Sequence, residues 1–167
     1  MNWADFAAEA PGLAALAGER FQRHGLVLVV TLTKDGSPRL SPVEPLIVDG
    51  NLMLGMMWQS RKALDLLRDP RVLVHNVITN KDGTEGEIKI RGRAIDVLDQ
   101  HQRRRYGEQL FKKIGWKPDE PYHLFSVDVE NVSFVQSGEQ GQRVVLWRRG
   151  GRERSRVRKW TGSGYAD

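Results

Sequence analysis

The stretch Leu26-Val27-Leu28-Val29-Val30-Thr31-Leu32-Thr33-Lys34-Asp35-Gly36-Ser37-Pro38-Arg39-Leu40-Ser41-Pro42-Val43 decides the fold. Its first eight residues are rich in β-branched side chains, as in a strand, and Asp35-Gly36 supplies the positive-φ residue that a hairpin turn needs. A second strand, about Arg39 to Val48, returns from that turn. Asp49-Gly50-Asn51 repeats the signal and Leu52 to Trp58 reads as a third strand, so this part of the chain is a β-meander.

Working outward, Leu13, Leu16, Ala17 and Phe21 recur at helical spacing between Pro11 and His24, with Gly25 placed to end the helix. On the other side, Ser60 is placed to cap a helix from Arg61 to Arg68, with Ala63, Leu64 and Leu67 on one face and Asp69-Pro70 ending it. Arg71 to Thr79 reads as a buried strand and Asn80-Lys81-Asp82-Gly83 as a third turn. Gly86 to Val97 reads as a strand with Ile88, Ile90 and Ala94 on one face and a bulge near Gly92. A charged helix from Asp99 to about Lys113 precedes a long strand, Tyr122 to Gln136, and a short one, Val144 to Arg149. About six strands, with helices inserted rather than alternating, predict an antiparallel barrel with short peripheral helices, mainly β in an α+β class.

A length of 167 residues is that of one domain able to bury its own core without a staple, and zero cysteines remove disulfides, thiolate catalysis and cysteine metal sites. The apolar run Leu26 to Val30 is too short to span a bilayer, and residues 1–9 carry no signal-peptide pattern, so a cytoplasmic protein with no membrane partner is expected. Charge is uneven. Residues 1–142 hold 18 Lys and Arg against 19 Asp and Glu, residues 143–159 hold eight against Glu153 alone, and Asp167 adds −1. The basic segment suits a phosphorylated or carboxylated molecule, a nucleic acid or an acidic subunit face.

Walker, GxGxxG, GxSxG and HExxH patterns are absent, and His24, His75, His101 and His123 are scattered without metal spacing; structural roles are expected for them. The sharper signal is Ser60-Arg61-Lys62. A helix start presents free N–H groups and partial positive charge, and a hydroxyl, a guanidinium and an ammonium within three residues add up to a phosphate receptor. Cations there oppose the helix dipole at a cost of roughly a few tenths of a kcal/mol or more each, which an anion would relieve.

The run from Asp35-Gly36-Ser37-Pro38-Arg39-Leu40-Ser41-Pro42-Val43 through Asp49-Gly50 to Ser60-Arg61-Lys62-Ala63-Leu64-Asp65-Leu66-Leu67-Arg68-Asp69-Pro70-Arg71-Val72 resembles the pyridoxamine 5′-phosphate oxidase-like, FMN-binding split-barrel superfamily. Glu87-Ile88-Lys89-Ile90-Arg91-Gly92 and Tyr122 to Val135 extend the resemblance, which covers about residues 20–137. It implies a six-stranded antiparallel split β-barrel: one flavin-binding domain over 1–167, with an N-terminal helix in 1–25 and a basic C-terminal extension in 138–167. It also implies Arg61 and Lys62 on the cofactor phosphate, Ser60 capping, and Arg39, Ser41, Pro42 and Val43 beside the ribityl chain and ring. Val43 would act there through its backbone. Met53, Met56, Met57 and Trp58 are expected in core or dimer packing, and Trp58 is also placed to line the ring. Glu87 and Lys89 would approach the cofactor where the oxidase has Gln and Arg. A carboxylate there opposes negative charge on a reduced ring, so Glu87 points away, pairs with Lys89 or marks a different cofactor. The oxidase's Arg-x-His-x-Arg substrate motif is missing; Arg152 to Lys159 keeps the arginines without the histidine.

The resemblance implies a homodimer with the cofactor at the subunit interface, and Arg148, Arg149, Arg152, Arg154, Arg156 and Lys159 could then reach across it. The expected activity is hydride or electron transfer through FMN to a small-molecule substrate. A deazaflavin-dependent reductase of the same fold is the close alternative, and a non-catalytic flavin carrier or a nucleic-acid binder the distant one. Trp147 and Trp160 flank the basic stripe, but no RNP-like or helix-turn-helix pattern accompanies them, so nucleic acid is not the expected partner.

Overall fold

The Asp-Gly turns fold the chain back on itself. In the computed structural model, which describes residues 1–166, the elements run α1 (Trp3–Glu9), α2 (Pro11–His24), β1 (Val27–Leu32), β2 (Pro38–Val43), β3 (Pro45–Val48), β4 (Asn51–Met57), α3 (Arg61–Arg68), β5 (Arg71–Asn76), β6 (Glu87–Asp96), α4 (Gln100–Ile114), β7 (Tyr122–Gly138), β8 (Gly141–Arg148), β9 (Arg154–Trp160) and β10 (Tyr165–Ala166). Asp167, with its expected −1, lies outside the described residues. None of the described helices is long and apolar enough to cross a membrane.

All strand pairings are antiparallel, and β2-β1-β5-β6-β7 lie side by side. The long β7 pairs with β4 along its first residues and with β8 along its last, while β3 pairs with β4. Since β3 follows β2 after Glu44 alone, these ladders curl round into a split barrel of mainly β class, as the sequence predicts. The one strand expected over Arg39 to Val48 is instead two, each serving a different neighbour. Pro42 and Pro45 flank the break, and neither has an N–H to give to a continuous ladder. A split follows from this break. Among the described residues β2 is paired on one edge only, to β1, and Gly55 to Met57 of β4 are paired only to β7.

Valines 27 and 29 of β1, Val43, Leu52, Leu54, Ile88 and Ile90 fill the barrel, and Phe6, Leu13 and Phe21 from α1 and α2 belong to the same cluster. A second cluster lies between α4 and the sheet, with Met53, Tyr106, Leu110, Tyr122 and Leu124. Several expectations change. The expected six strands become ten among the described residues: β2 and β3 separate, and after the long β7 come β8, where the short strand Val144 to Arg149 is expected, then β9 and the two-residue β10. The N-terminal 25 residues form two helices, divided where Pro11 starts the second. The strand from Arg71 stops at Asn76, whose side chain takes over the ladder by accepting from the Ile88 N–H (2.7 Å) and donating to the Gly86 carbonyl (3.2 Å). In α3 the buried side chains are Ala63, Asp65 and Leu66, while Leu64 and Leu67 are exposed, because the carboxylate of Asp65 is anchored inward.

Candidate functional site

Helix α3 begins where β4 runs out. Gln59 turns the chain with φ 56°, and Ser60 is extended, its N–H donating to the Met57 carbonyl (3.1 Å). Ser60 is the N-cap by position, yet its hydroxyl caps nothing: Oγ is buried without a hydrogen-bond partner. Lys62 Nζ donates to the Pro42 carbonyl (3.2 Å), tying the helix start to β2, while Arg61 is exposed and has no carboxylate partner among the described residues.

Beside this start lies a basic hollow. Arg39 Nε donates to Asp65 Oδ2 (2.7 Å), the same oxygen accepts from Thr31 Oγ1 (2.9 Å), and Arg68 reaches Oδ1 (3.1 Å). Burial pushes the Asp65 carboxyl up, but these donors outweigh it and hold it below its ordinary value, so it stays charged and keeps Arg39 in place. Arg39, Arg61, Arg68 and Lys34 line a shallow depression of about 710 Å³, with Asp65 and Asp35 as its acids.

On the other side of Lys62, the split between β2 and β4 opens into a mostly apolar cavity of about 270 Å³. Pro42, Val43 and Glu44 form one wall, Gly55, Met56 and Met57 another, and Tyr106, Leu110, Trp116, Pro118 and Tyr122 complete it. Val43 is buried and lines this cavity. Gly55 makes room for Tyr106: a Cβ on Gly55 would stand 2.2 Å from the phenol oxygen. Burial raises the Tyr106 hydroxyl well above its ordinary pKa, so the phenol stays protonated beside the cavity.

The structure thus brings together Arg39, Pro42, Val43, Ser60, Arg61 and Lys62. Ser41, opposite Val29 on β1, lines neither hollow. Trp58 also stands apart from the cavity; it is half-exposed and stacks on His123 (4.6 Å between centroids, 11°), which in turn stacks on Phe125. Glu87 and Lys89 are farther away. Pro42, Leu28, His75 and Lys89 stand in one row across β2, β1, β5 and β6, so three strand spacings, about 14 Å, separate Lys89 from Pro42. There Glu87 pairs with Lys89 and lies 3.4 Å from His75 Nε2. Burial pushes the Glu87 carboxyl up, and Lys89 and His75 bring it net below its usual value.

Glu44, Tyr106, Trp116 and Tyr122 escape sequence reasoning, and Met57, expected in core or dimer packing, lines the cavity. The one local signal was Gly55, a glycine inside a strand, which marks a close approach without saying by what. Among the histidines, His24 pairs with Glu85 and His75 with the Asn76 carbonyl, in structural roles, while His123 is buried with Nε2 unpartnered. No acidic or histidine cluster among the described residues could hold a metal.

Residues 15–136 match the pyridoxamine 5′-phosphate oxidase family. No curated protein matches the sequence. Among solved structures, a pyridoxamine 5′-phosphate oxidase-related, FMN-binding protein from Nostoc punctiforme is 17% identical, with a TM-score of 0.62 over 86% of this chain and 94% of that one. PhzG from Burkholderia lata, solved with tetrahydrophenazine-1-carboxylic acid, is 13% identical, with a TM-score of 0.58 over 87% of each chain. A heme-binding protein from Mycobacterium smegmatis is 17% identical, with a TM-score of 0.56 over 86% of this chain and 57% of that one. Likenesses this distant establish the fold. The family match spans the meander, the split and the Ser60-Arg61-Lys62 helix start together, and on that match the chain belongs to the pyridoxamine 5′-phosphate oxidase family.

Proposed function

We propose that this chain is an FMN-binding oxidoreductase, with the cofactor phosphate held at Ser60, Arg61 and Lys62 and the ring in the cavity between β2 and β4. The observation that carries the reading is the continuity of the site. A helix start bearing Arg61 without a carboxylate partner stands at the end of a split whose two strand edges are free, and the split leads into an apolar cavity. The buried, unpartnered Ser60 Oγ fits the same group, since a phosphate oxygen would give it a partner. When bound, a flavin supplies hydride or electron transfer itself. The chain's part is to fix the phosphate, offer backbone groups from Val43 and free β4 residues to the ring edge, and shield one ring face with Met57 and Trp116. This accounts for the lack of an acid–base constellation.

The cavity, about 270 Å³, is slightly below the usual range of about 300–1,000 Å³ for small-ligand pockets, so one chain provides only part of an enclosure. Exposed Met57 (80%) and Leu40 (61%) lie close to the split. A homodimer that closes over them would complete the pocket and could bring Glu87 and Lys89 of the second copy toward the cofactor; light scattering of the purified protein tests for the dimer. A small-molecule substrate and a cytoplasmic location complete the reading.

The decisive experiment is an absorbance spectrum of the purified protein followed by titration with FMN, then with a deazaflavin, monitored by tryptophan fluorescence. Saturable FMN binding is expected. Arg61→Ala with Lys62→Ala removes two charge-assisted phosphate contacts, each worth roughly 1.5–3 kcal/mol, so FMN affinity should fall several hundredfold or more. Wild-type affinity in that variant would overturn the phosphate assignment, and binding of the deazaflavin alone would move the protein to the reductase alternative.

A further inference from the structure

Two tyrosines stand on the wall of the cavity between β2 and β4, and they spend their protons differently. Tyr122 donates its hydroxyl to the Arg103 carbonyl (3.4 Å), within the packing of α4 on the sheet. Tyr106 has no such outlet. Its oxygen stands over Gly55, where any Cβ would lie 2.2 Å from it, so on that face of β4 the phenol takes the place of a side chain. By strand alternation the same face carries Met57, which lines the cavity together with Gly55 and Tyr106. The backbone group that the phenol meets is the Gly55 N–H, a donor, so the oxygen serves there as acceptor and its own proton is left over. The two charged side chains on the wall do not take it. Lys62 is itself a donor, to the Pro42 carbonyl (3.2 Å), and Glu44 is exposed and acts on Tyr106 at a distance, by charge. Burial first, then Tyr122 and Glu44, keep the phenol protonated. The rest of the wall is apolar, from Leu26, Val43 and Met56 to Leu110, Trp116 and Pro118. A donor without an acceptor in such surroundings costs free energy, and a ligand atom with a lone pair relieves that cost.

We propose that the Tyr106 hydroxyl is the specificity-determining donor of this cavity, selecting a flat ring system that carries a lone pair, on a carbonyl oxygen or a ring nitrogen, at the edge facing Gly55. The inference rests on the reading of this cavity as the FMN ring site, since the isoalloxazine ring has acceptors of both kinds. Tyr106→Phe tests it, because the substitution removes one oxygen and keeps the ring that packs with Tyr122 (6.2 Å between centroids). Two quantities are read on titration with FMN: the affinity, and the positions of the visible absorbance bands of the bound flavin, which respond to a hydrogen bond on the ring. In Tyr106→Phe the affinity should fall about two- to tenfold, the worth of one hydrogen bond, and the bands should move from their wild-type positions. Tyr122→Phe, whose hydroxyl is spent on the Arg103 carbonyl, should leave both unchanged. In Arg61→Ala with Lys62→Ala the affinity should fall while the bands of the flavin that still binds stay where they are. Wild-type affinity and unmoved bands in Tyr106→Phe would overturn the inference and leave the FMN reading intact. Weaker binding with unmoved bands would assign Tyr106 to packing alone and overturn it as well, and an absence of FMN binding to the wild-type protein would overturn both.

Discussion

Gly55 and Asp65 are the two residues through which the site depends on its surroundings. At Gly55 the obstacle to any side chain is the buried Tyr106 ring, which has little freedom to retreat because it packs with Tyr122 (6.2 Å between centroids) and belongs to the α4 cluster. Gly55→Ala should therefore destabilise the protein by about 1–3 kcal/mol, read as a lower denaturant midpoint, and should also lower FMN affinity because the displaced phenol enters the cavity. An unchanged midpoint would mean that the α4 cluster yields. Asp65 gathers Thr31, Arg39 and Arg68 on one carboxylate. Asp65→Asn replaces a charged acceptor by a neutral one and should cost about 1–3 kcal/mol, with weaker FMN binding as Arg39 loses its anchor. Equal loss of FMN affinity in Asp65→Asn and in Arg39→Ala would show that the aspartate acts through that arginine. Neither residue was legible as a site residue beforehand: Asp65 sits in a helix among charges, and two of its three partners, Thr31 and Arg39, come from β1 and β2, more than 20 positions away in sequence.

Among the elements, the pairing of β6 with β7 shows how a local irregularity sets what faces inward. The expected bulge near Gly92 is present, since the register shifts between Arg91 and Gly92. The extra residue, however, is Glu130 on β7, because Arg91 stands opposite Asn131 and Gly92 opposite Val129. On β6 the alternation of Ile88, Ile90, Gly92 and Ala94 continues unbroken, and β7 changes parity instead, with Val127 and Val129 buried before the bulge and Val132 and Phe134 after it. A Cβ at Gly92 would stand 2.2 Å from the Asp128 carbonyl oxygen, a backbone atom with nowhere to go. Gly92→Ala should lower the unfolding midpoint by an amount equal to about 3 kcal/mol or more, with no effect on FMN affinity in the fraction that stays folded. The glycine was readable in the sequence as a break in a strand; which of two paired strands holds the extra residue was not, because that depends on their relative register.

Over the whole molecule, helix α2 is fastened to the loop that leads into β6, and to β7, by buried charge. Arg20 donates to the Glu85 carbonyl (2.7 Å) and lies over the Phe134 ring (4.6 Å), while the Glu85 carboxylate accepts from the Thr79 N–H (2.7 Å) and Thr79 Oγ1 (3.1 Å) and lies 3.0 Å from His24 Nε2. The Thr79 N–H, then His24, hold the Glu85 carboxyl down at about 2 against the effect of burial. A carboxyl depressed in the folded state adds stability that is complete above its ordinary value of 4.5 and is lost as pH falls from there toward about 2. Urea midpoints measured across that window should therefore fall with pH, and Glu85→Gln should be less stable than wild type at neutral pH, the gap closing on acidification. A gap that stays constant down to pH 2 would show that Glu85 acts through shape rather than charge.

By itself, the sequence determined the β-meander, the helix start at Ser60-Arg61-Lys62 and the long final barrel strand. Asp-Gly turns, apolar alternation and helix boundaries are properties of residues within a few positions of one another. Only the tertiary structure decided the rest. The break at Glu44 leaves the facing edges of β2 and β4 free, α4 closes the cavity with Tyr106, Asp65 turns inward to hold Arg39, and the basic segment folds into a hairpin. Each of these depends on which distant strand completes a backbone ladder and on which buried carboxylate an arginine can reach. Those are energies of long-range pairing and desolvation, and no short window of sequence contains both partners.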